Sequence, residues 1–162
     1  MHADERRDEQ RRAGTELFSE RLWPSVGVWL LIPLVAGIGV VAFTPIGVPV
    51  GAAVGLAIAA VLVAIAVYTT PEVAVRDGEL VAGRAHIPVG LLGGVTVVRG
   101  EDARIQRGPA LDARAFLLIR GWVDPLVRVE LRDPQDPTPY WLVSTRRPEE
   151  LAQALDAARA PR

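Results

Sequence analysis

The chain of 162 residues has no cysteine, which excludes a disulfide framework, a thiolate zinc site and a cysteine nucleophile. It has no lysine either: all 18 basic residues are arginine, so a phosphate loop closed by lysine is excluded. Histidine occurs only as His2 and His86, and no HxxxH pair exists. The most informative shortage is of charge. From Leu22 to Pro71, fifty consecutive positions carry no Asp, Glu, Lys, Arg or His. Such a run is too long for one membrane helix and too apolar for an ordinary soluble core.

The run divides at Thr44-Pro45-Ile46-Gly47-Val48-Pro49, where two prolines and a glycine predict a turn. On either side, residues 26–43 and 50–68 each approach the roughly 20 apolar residues needed to cross the hydrocarbon layer. The expectation is a transmembrane hairpin over 22–71, preceded by a tail at 1–21 and followed by one small domain at 72–160. A 21-residue lead of mixed charge and a long apolar stretch fit a retained span better than a cleaved signal peptide. The turn has no arginine, whereas Arg21 abuts the first span and Arg76 and Arg84 follow the second. The positive-inside rule then predicts a multi-pass protein of the plasma membrane with both termini cytoplasmic.

Gly51, Gly55 and Ala59 recur every fourth position on the second span, a spacing that lets two helix backbones approach closely. Their partner is either the first span, through Gly37 and Gly39, or a second copy of the chain in a homodimer. Pro33 removes one backbone hydrogen bond within the first span. Trp23, Trp29 and Tyr68 suit interfacial anchoring. With no ionisable residue inside the spans, the usual marker of an ion or proton path is missing.

After Pro71 the apolar period changes to two. Residues 72–76 and 79–83 flank Asp77-Gly78, a strong hairpin signal. Residues 87–98 form a longer apolar stretch in which Gly90, Gly93 and Gly94 mark a bend or bulge. A polar connection at 101–107 is followed by a central strand at 115–119, a half-buried strand through Val127, Val129 and Leu131, and a last strand at 140–144. Pro148, Glu149 and Glu150 open a helix over 148–159, with Leu151, Ala154, Leu155 and Ala158 on one stripe. The predicted class is an α+β membrane protein. Its two-helix hairpin precedes a small antiparallel β-barrel of six or seven strands, closed at one end by the C-terminal helix as in pleckstrin-homology-like folds.

Three longer words carry a family resemblance. They are Glu20-Arg21-Leu22-Trp23-Pro24, the stretch 113–123 (ARAFLLIRGWV), and 133–148 (DPQDPTPYWLVSTRRP). Together they resemble actinobacterial membrane proteins catalogued as domain-of-unknown-function family 3093, over about residues 16–158. Val26-Gly27-Val28 stands where that resemblance implies a run richer in aromatics. The resemblance implies an integral membrane protein of unassigned activity and supplies no catalytic residues.

Other chemistry finds little footing. A lone histidine such as His86 in a strand is ordinarily packed or hydrogen-bonded. Asp124, Asp133 and Asp136 carry hard oxygens, but Asp-Pro pairs initiate turns and EF-hand spacing is absent. Ser19, Ser25 and Ser144 lie in no nucleophile elbow. The chain is therefore expected not to be an enzyme, with no cofactor and no metal. The tail has five Arg against six acids and the following domain thirteen of each, so no nucleic-acid partner is expected.

Arg114, Arg120, Arg128, Arg132, Arg146 and Arg147 are candidates for contact with anionic lipid, the use many pleckstrin-homology domains make of theirs. Trp122, Tyr140 and Trp141 are candidates for protein contact. Of these, Arg120, Trp122, Arg146 and Arg147 stand out as the partner or lipid contacts. The expected function is a membrane-tethered binding or scaffold module that contacts membrane lipids and a membrane or cytoplasmic protein. The alternative is an accessory subunit of a transport or envelope-assembly complex. Thr69-Thr70-Pro71 spans about 10 Å at most, which places the domain close to the headgroups.

Overall fold

The computed structural model describes residues 16–160, which form two compact units: one of residues 23–70, the other of residues 16–22 with 71–160. Residues 1–15 of the tail predicted over 1–21 lie outside the described residues.

The first unit is a pair of helices, α1 (Val26–Phe43) and α2 (Val48–Tyr68). Both are long and apolar enough to cross a membrane. Only 11% and 17% of their most apolar stretches are buried, unlike the core helix of a soluble protein. The connecting turn is shorter than expected. Pro49 belongs to the first turn of α2, where its missing N–H costs no helical hydrogen bond. The helix α1 continues through Pro33.

Glycines set the approach of α1 to α2. A Cβ on Gly51 would lie 2.7 Å from the Val40 carbonyl oxygen, and one on Gly55 3.0 Å from that of Ala36 and in collision with the Val40 side chain. A Cβ on Gly39 would meet Ile58 Cδ1 at 2.5 Å. Gly37 faces away from α2, with nothing within 4 Å of where its Cβ would be.

The second unit has eight strands in two sheets. β1 (Glu16–Arg21), β2 (Glu72–Arg76), β3 (Glu79–Ala82) and β4 (Ala85–Pro88) form the first, in that order and antiparallel throughout. β5 (Leu92–Val98), β6 (Phe116–Leu118), β7 (Leu126–Leu131) and β8 (Tyr140–Ser144) form the second, in the order β5-β7-β8-β6. Two helices complete it, α3 (Gly100–Arg107) and α4 (Pro148–Arg159).

Three expectations are corrected here. The strand β1 lies before the apolar hairpin, in what the sequence assigns to the tail, yet it pairs with β2 after the hairpin. The hairpin is thus an insertion between two neighbouring strands, with Arg21 opposite Glu72 and the Leu22 N–H donating to the Pro71 carbonyl at 3.0 Å. The barrel is not closed: the two sheets remain separate, because a 3-10 turn at Val89–Leu91 carries the chain from one to the other. Finally, β6 is an edge strand parallel to β8, not a central antiparallel one.

Other features match their physical signals. Asp77 and Gly78 both adopt positive φ (54° and 77°), as a tight β-hairpin requires. The register shift between Leu92 and Val95 spans Gly93 and Gly94, where a Cβ would press on the Arg132 and Glu130 side chains.

The main core draws on both sheets and α4, joining Phe18, Leu22, Val73, Val75 and Leu80 to Val127, Val129, Trp141, Val143, Leu151 and Leu155. A smaller cluster of Ala103, Leu126, Tyr140 and Leu142 lies where α3 covers the other face of β7 and β8. With both its faces covered, β8 is buried at all five positions.

Candidate functional site: the sheet end that carries the hairpin

Leu22 and Pro71, where the chain leaves and re-enters the sheet, mark one end of the second unit. Four further segments converge on this end. The buried side chain of Glu20, on β1, accepts the Thr145 hydroxyl at 2.5 Å and the Arg146 backbone N–H at 3.1 Å. The Arg146 guanidinium stands 3.8 Å from the same carboxylate. Burying a carboxylate is costly unless its lone pairs are satisfied, and here two donors and a neighbouring guanidinium charge meet it. Arg147 donates to the Ser19 carbonyl at 2.5 Å, lies 4.8 Å from the centre of the Phe18 ring and pairs with Glu150 at 3.0 Å. Strand β1 is therefore fastened to the start of α4 by the residues that connect β8 to that helix.

The loop after β6 joins the same end. The Arg120 N–H donates to Ser144 Oγ at 2.9 Å, the Val123 N–H to the Arg120 carbonyl at 2.9 Å, and the Thr145 N–H to the Pro125 carbonyl at 3.2 Å. This turn leaves Trp122 43% exposed, with the Arg120 guanidinium 5.9 Å from the centre of its ring. Gly83, in the β3–β4 turn, donates to the Glu72 carbonyl at 2.7 Å and lies between Pro71 and Leu118. Its φ of +66° suits glycine, and Arg84 follows it, exposed. Arg21, beside Leu22, is exposed too.

The six arginines that are candidates for lipid contact do not form one patch. Arg120, Arg146 and Arg147 reach the hairpin end, Arg147 as a structural clamp. Arg128 stacks 4.1 Å from the Tyr140 ring centre, under α3. Arg132 lies beside Gly93, at the opposite end of the second sheet. Arg114 pairs with Asp112 at 2.9 Å in the loop before β6. Arg76 sits at the far end of β2, whereas Arg84 is at the hairpin end.

Of the aromatics, Trp141 is buried with Phe116 against it (centroids 4.3 Å apart), and the buried Tyr140 accepts the Asp112 N–H at 2.8 Å. Neither offers a contact surface; Trp122 does. Arg21 and Arg84 were not among the expected site residues. Their exposure beside the hairpin's two ends becomes visible only when β1 is placed next to β2.

The acids outside this end serve local structure. The Arg114 guanidinium hydrogen-bonded to Asp112 lowers its pKa to about 2. The Gly100 N–H, with Arg107, holds Asp124 below its ordinary value. The Thr138 hydroxyl and N–H do the same for Asp136, and the ion pair with Arg99 for Glu149. Asp133 and Asp136 each accept the N–H two residues on, as turn-forming aspartates do, and Asp124 caps α3. Among the described residues, no three His, Asp or Glu side chains gather as a metal site. His86 is exposed on β4, opposite Val81, and His2 lies outside the described residues.

A family model described as "Protein of unknown function (DUF3093)" matches residues 17–155. That span begins inside β1, so the match embraces the strand before the hairpin as well as everything up to α4. No curated protein and no solved structure matches the chain.

Proposed function

We propose that this chain, which belongs to the DUF3093 family, is a multi-pass protein of the plasma membrane and a membrane-tethered binding or scaffold module without catalytic activity of its own. In this reading α1 and α2 span the bilayer and the two-sheet unit is cytoplasmic, held by two chain segments instead of one. The observation that carries it is the pairing of β1 with β2 across the inserted hairpin. A cut after α1, as for a signal peptide, would separate β1 from its sheet and remove Phe18, Glu20 and Leu22 from the core. The large exposed apolar surface of both helices also needs a nonaqueous surrounding. Two-stranded entry keeps both chain ends on one side, and the arginines at that end support a cytoplasmic side for them.

The test exploits the absence of cysteine. Single cysteines replacing Gly47 and Gln153 should react oppositely with an impermeant maleimide in intact cells. Labelling at Gly47 alone supports the reading; labelling at Gln153 alone reverses the orientation, and equal labelling removes the spans. Co-purification in mild detergent then identifies the bound protein. The reading as an accessory subunit of a transport or envelope-assembly complex is favoured by one observation. The face of α1 bearing Pro33, Gly37 and Val41 turns away from α2 and stays open to a neighbouring helix.

A further inference from the structure

We infer that the hairpin end of the two-sheet unit is a contact surface for anionic phospholipid headgroups, formed by Arg21, Arg84, Arg120, Trp122 and Arg146. The inference rests on the membrane-tether reading above and names the partner of that same site. Four separate segments, β1, the β3–β4 turn, the loop after β6 and the turn before α4, bring these residues to the end where Leu22 and Pro71 lead to the hairpin. Of the acids at this end, Glu101 and Asp102 in the first turn of α3 are exposed, and the others are already engaged. Glu20 is buried under Thr145 and Arg146, Glu72 pairs with Arg76 and Ser19, and Glu150 pairs with Arg147. Asp124 holds the Gly100 N–H and Arg107.

Among the described residues, the Arg21 and Arg84 side chains meet no carboxylate within ion-pair distance. Among the described residues, Arg21 and Arg84 thus put cationic charge on this end outside any ion pair. Trp122 adds an exposed amphipathic ring, the side chain that settles at the boundary between headgroups and acyl chains. Arginine is suited to phosphate, since its planar fork donates two parallel hydrogen bonds. A soluble acidic protein segment would meet the same charges, but it is the bilayer that a membrane-spanning hairpin starting after Leu22 and ending before Pro71 brings to this end, so the bilayer is the better fit.

The test uses the full chain in nanodiscs of neutral phosphatidylcholine, with and without phosphatidylglycerol. A nitroxide on Gly121→Cys, where a side chain meets open space beside Trp122, reports exposure to a water-soluble relaxation agent. A nitroxide on Gly90→Cys, open as well and at the other end of the sheets, is the control. Anionic lipid should lower accessibility at Gly121 by about threefold and leave Gly90 unchanged, and high salt should reverse the effect.

Arg21→Gln/Arg84→Gln alters two exposed side chains outside the core. Each arginine strengthens attraction to an anionic surface roughly fivefold, so the pair should erase the lipid response. Equal accessibility in both lipids, or an equal response at Gly90, overturns the headgroup surface while leaving the tether intact. Protection at Gly121 by a soluble poly-glutamate peptide but not by anionic lipid would assign the surface to an acidic protein and overturn the inference too. A chain that fails to enter the discs at all refutes the tether reading along with it.

Discussion

The two units of this protein dispose of their apolar surface in opposite ways. The helix pair of residues 23–70 buries only Ile32, Gly39, Gly51, Gly55 and Ala66, and its cohesion comes from backbones brought close by glycine. The two-sheet unit buries a continuous apolar core and fastens its polar groups one by one. Yet the second unit is the one that the chain does not build in a single pass. Its edge strand is made first, the hairpin intervenes, and only then does β2 supply the partner. A contiguous stretch of sequence is here a unit of apolar composition, while the unit of packing is discontinuous.

The sharpest way to break that comparison is to treat each unit as sequence-contiguous. A chain beginning at Pro71 should fail to give a folded domain, because it lacks Phe18, Leu22 and the edge strand. Burying a Phe or Leu side chain is worth roughly 1.5–3 kcal/mol each, a large share of the stability of a domain this small. Replacing residues 23–70 by a short Asn-Gly turn should instead yield a soluble, cooperatively unfolding protein. The check is thermal unfolding followed by circular dichroism on both, and equal stability of the two would dissolve the discontinuous unit.

Next in size is the overpacking of the helix pair. Gly55→Leu forces a side chain into Val40 and should destabilise the hairpin by about 1–3 kcal/mol. Gly37→Leu points into open space and should change detergent stability little. Similar losses at both would mean that the α1–α2 approach is not the packed face. Glu20→Ala belongs in the same range within the two-sheet unit. It strips the Thr145 hydroxyl and Arg146 N–H of their acceptor, for a loss of about 1–3 kcal/mol. The midpoint of urea unfolding measures it, and Glu20→Gln should recover part by keeping an acceptor.

Strand β1 was hard to read for a physical reason. Its inward positions are Phe18 and Glu20, followed by Leu22, so a charged residue stands where alternation calls for an apolar one. What makes Glu20 tolerable is a turn more than a hundred residues later, and no local pattern reports that. Nor does any local pattern report that β6 would run parallel to β8, since its three residues are apolar on both faces. What local chemistry does govern was legible: the Asp77-Gly78 turn, the glycine bulge of β5, the alternation of β7 and the stripe of α4. The two helices were legible from missing charge alone, to within two residues at the start of α2. Of the expected contact residues, Arg120, Trp122 and Arg146 come together at one end, although their sequence separations hide it. Arg147 proves to be a clamp on β1, and Tyr140 and Trp141 are core. The words at 20–24 and 133–148 that carried the family resemblance meet through Glu20, Thr145 and Arg146.

The smallest expected effect concerns acid. The pKa of Asp112 is lowered from 3.8 to about 2 by hydrogen bonds from Arg114. A carboxylate with a depressed folded-state pKa stabilises the fold above its unfolded value and loses that contribution as pH falls toward the folded one. Asp112→Asn should therefore cost a small stabilisation at neutral pH, and the variant and the parent should converge as pH falls from about 4 to about 2. Because this pair is exposed, the change is confined to the loop before β6. A difference that persists undiminished at about pH 2 would contradict the assignment.

The pairing of β1 with β2 in the full-length chain is the central claim, and a cross-link tests it directly. Ser19 and Ala74 face each other across the strand pair, and the chain has no cysteine to confuse the result. Ser19→Cys/Ala74→Cys should form an intramolecular disulfide under mild oxidation in native membranes. Ser19→Cys/Val81→Cys, one strand further away at about 10 Å, should not, since disulfides need Cα atoms closer than about 7 Å. No cross-link at 19–74, or equal cross-linking of both pairs, would contradict the insertion of the hairpin between neighbouring strands.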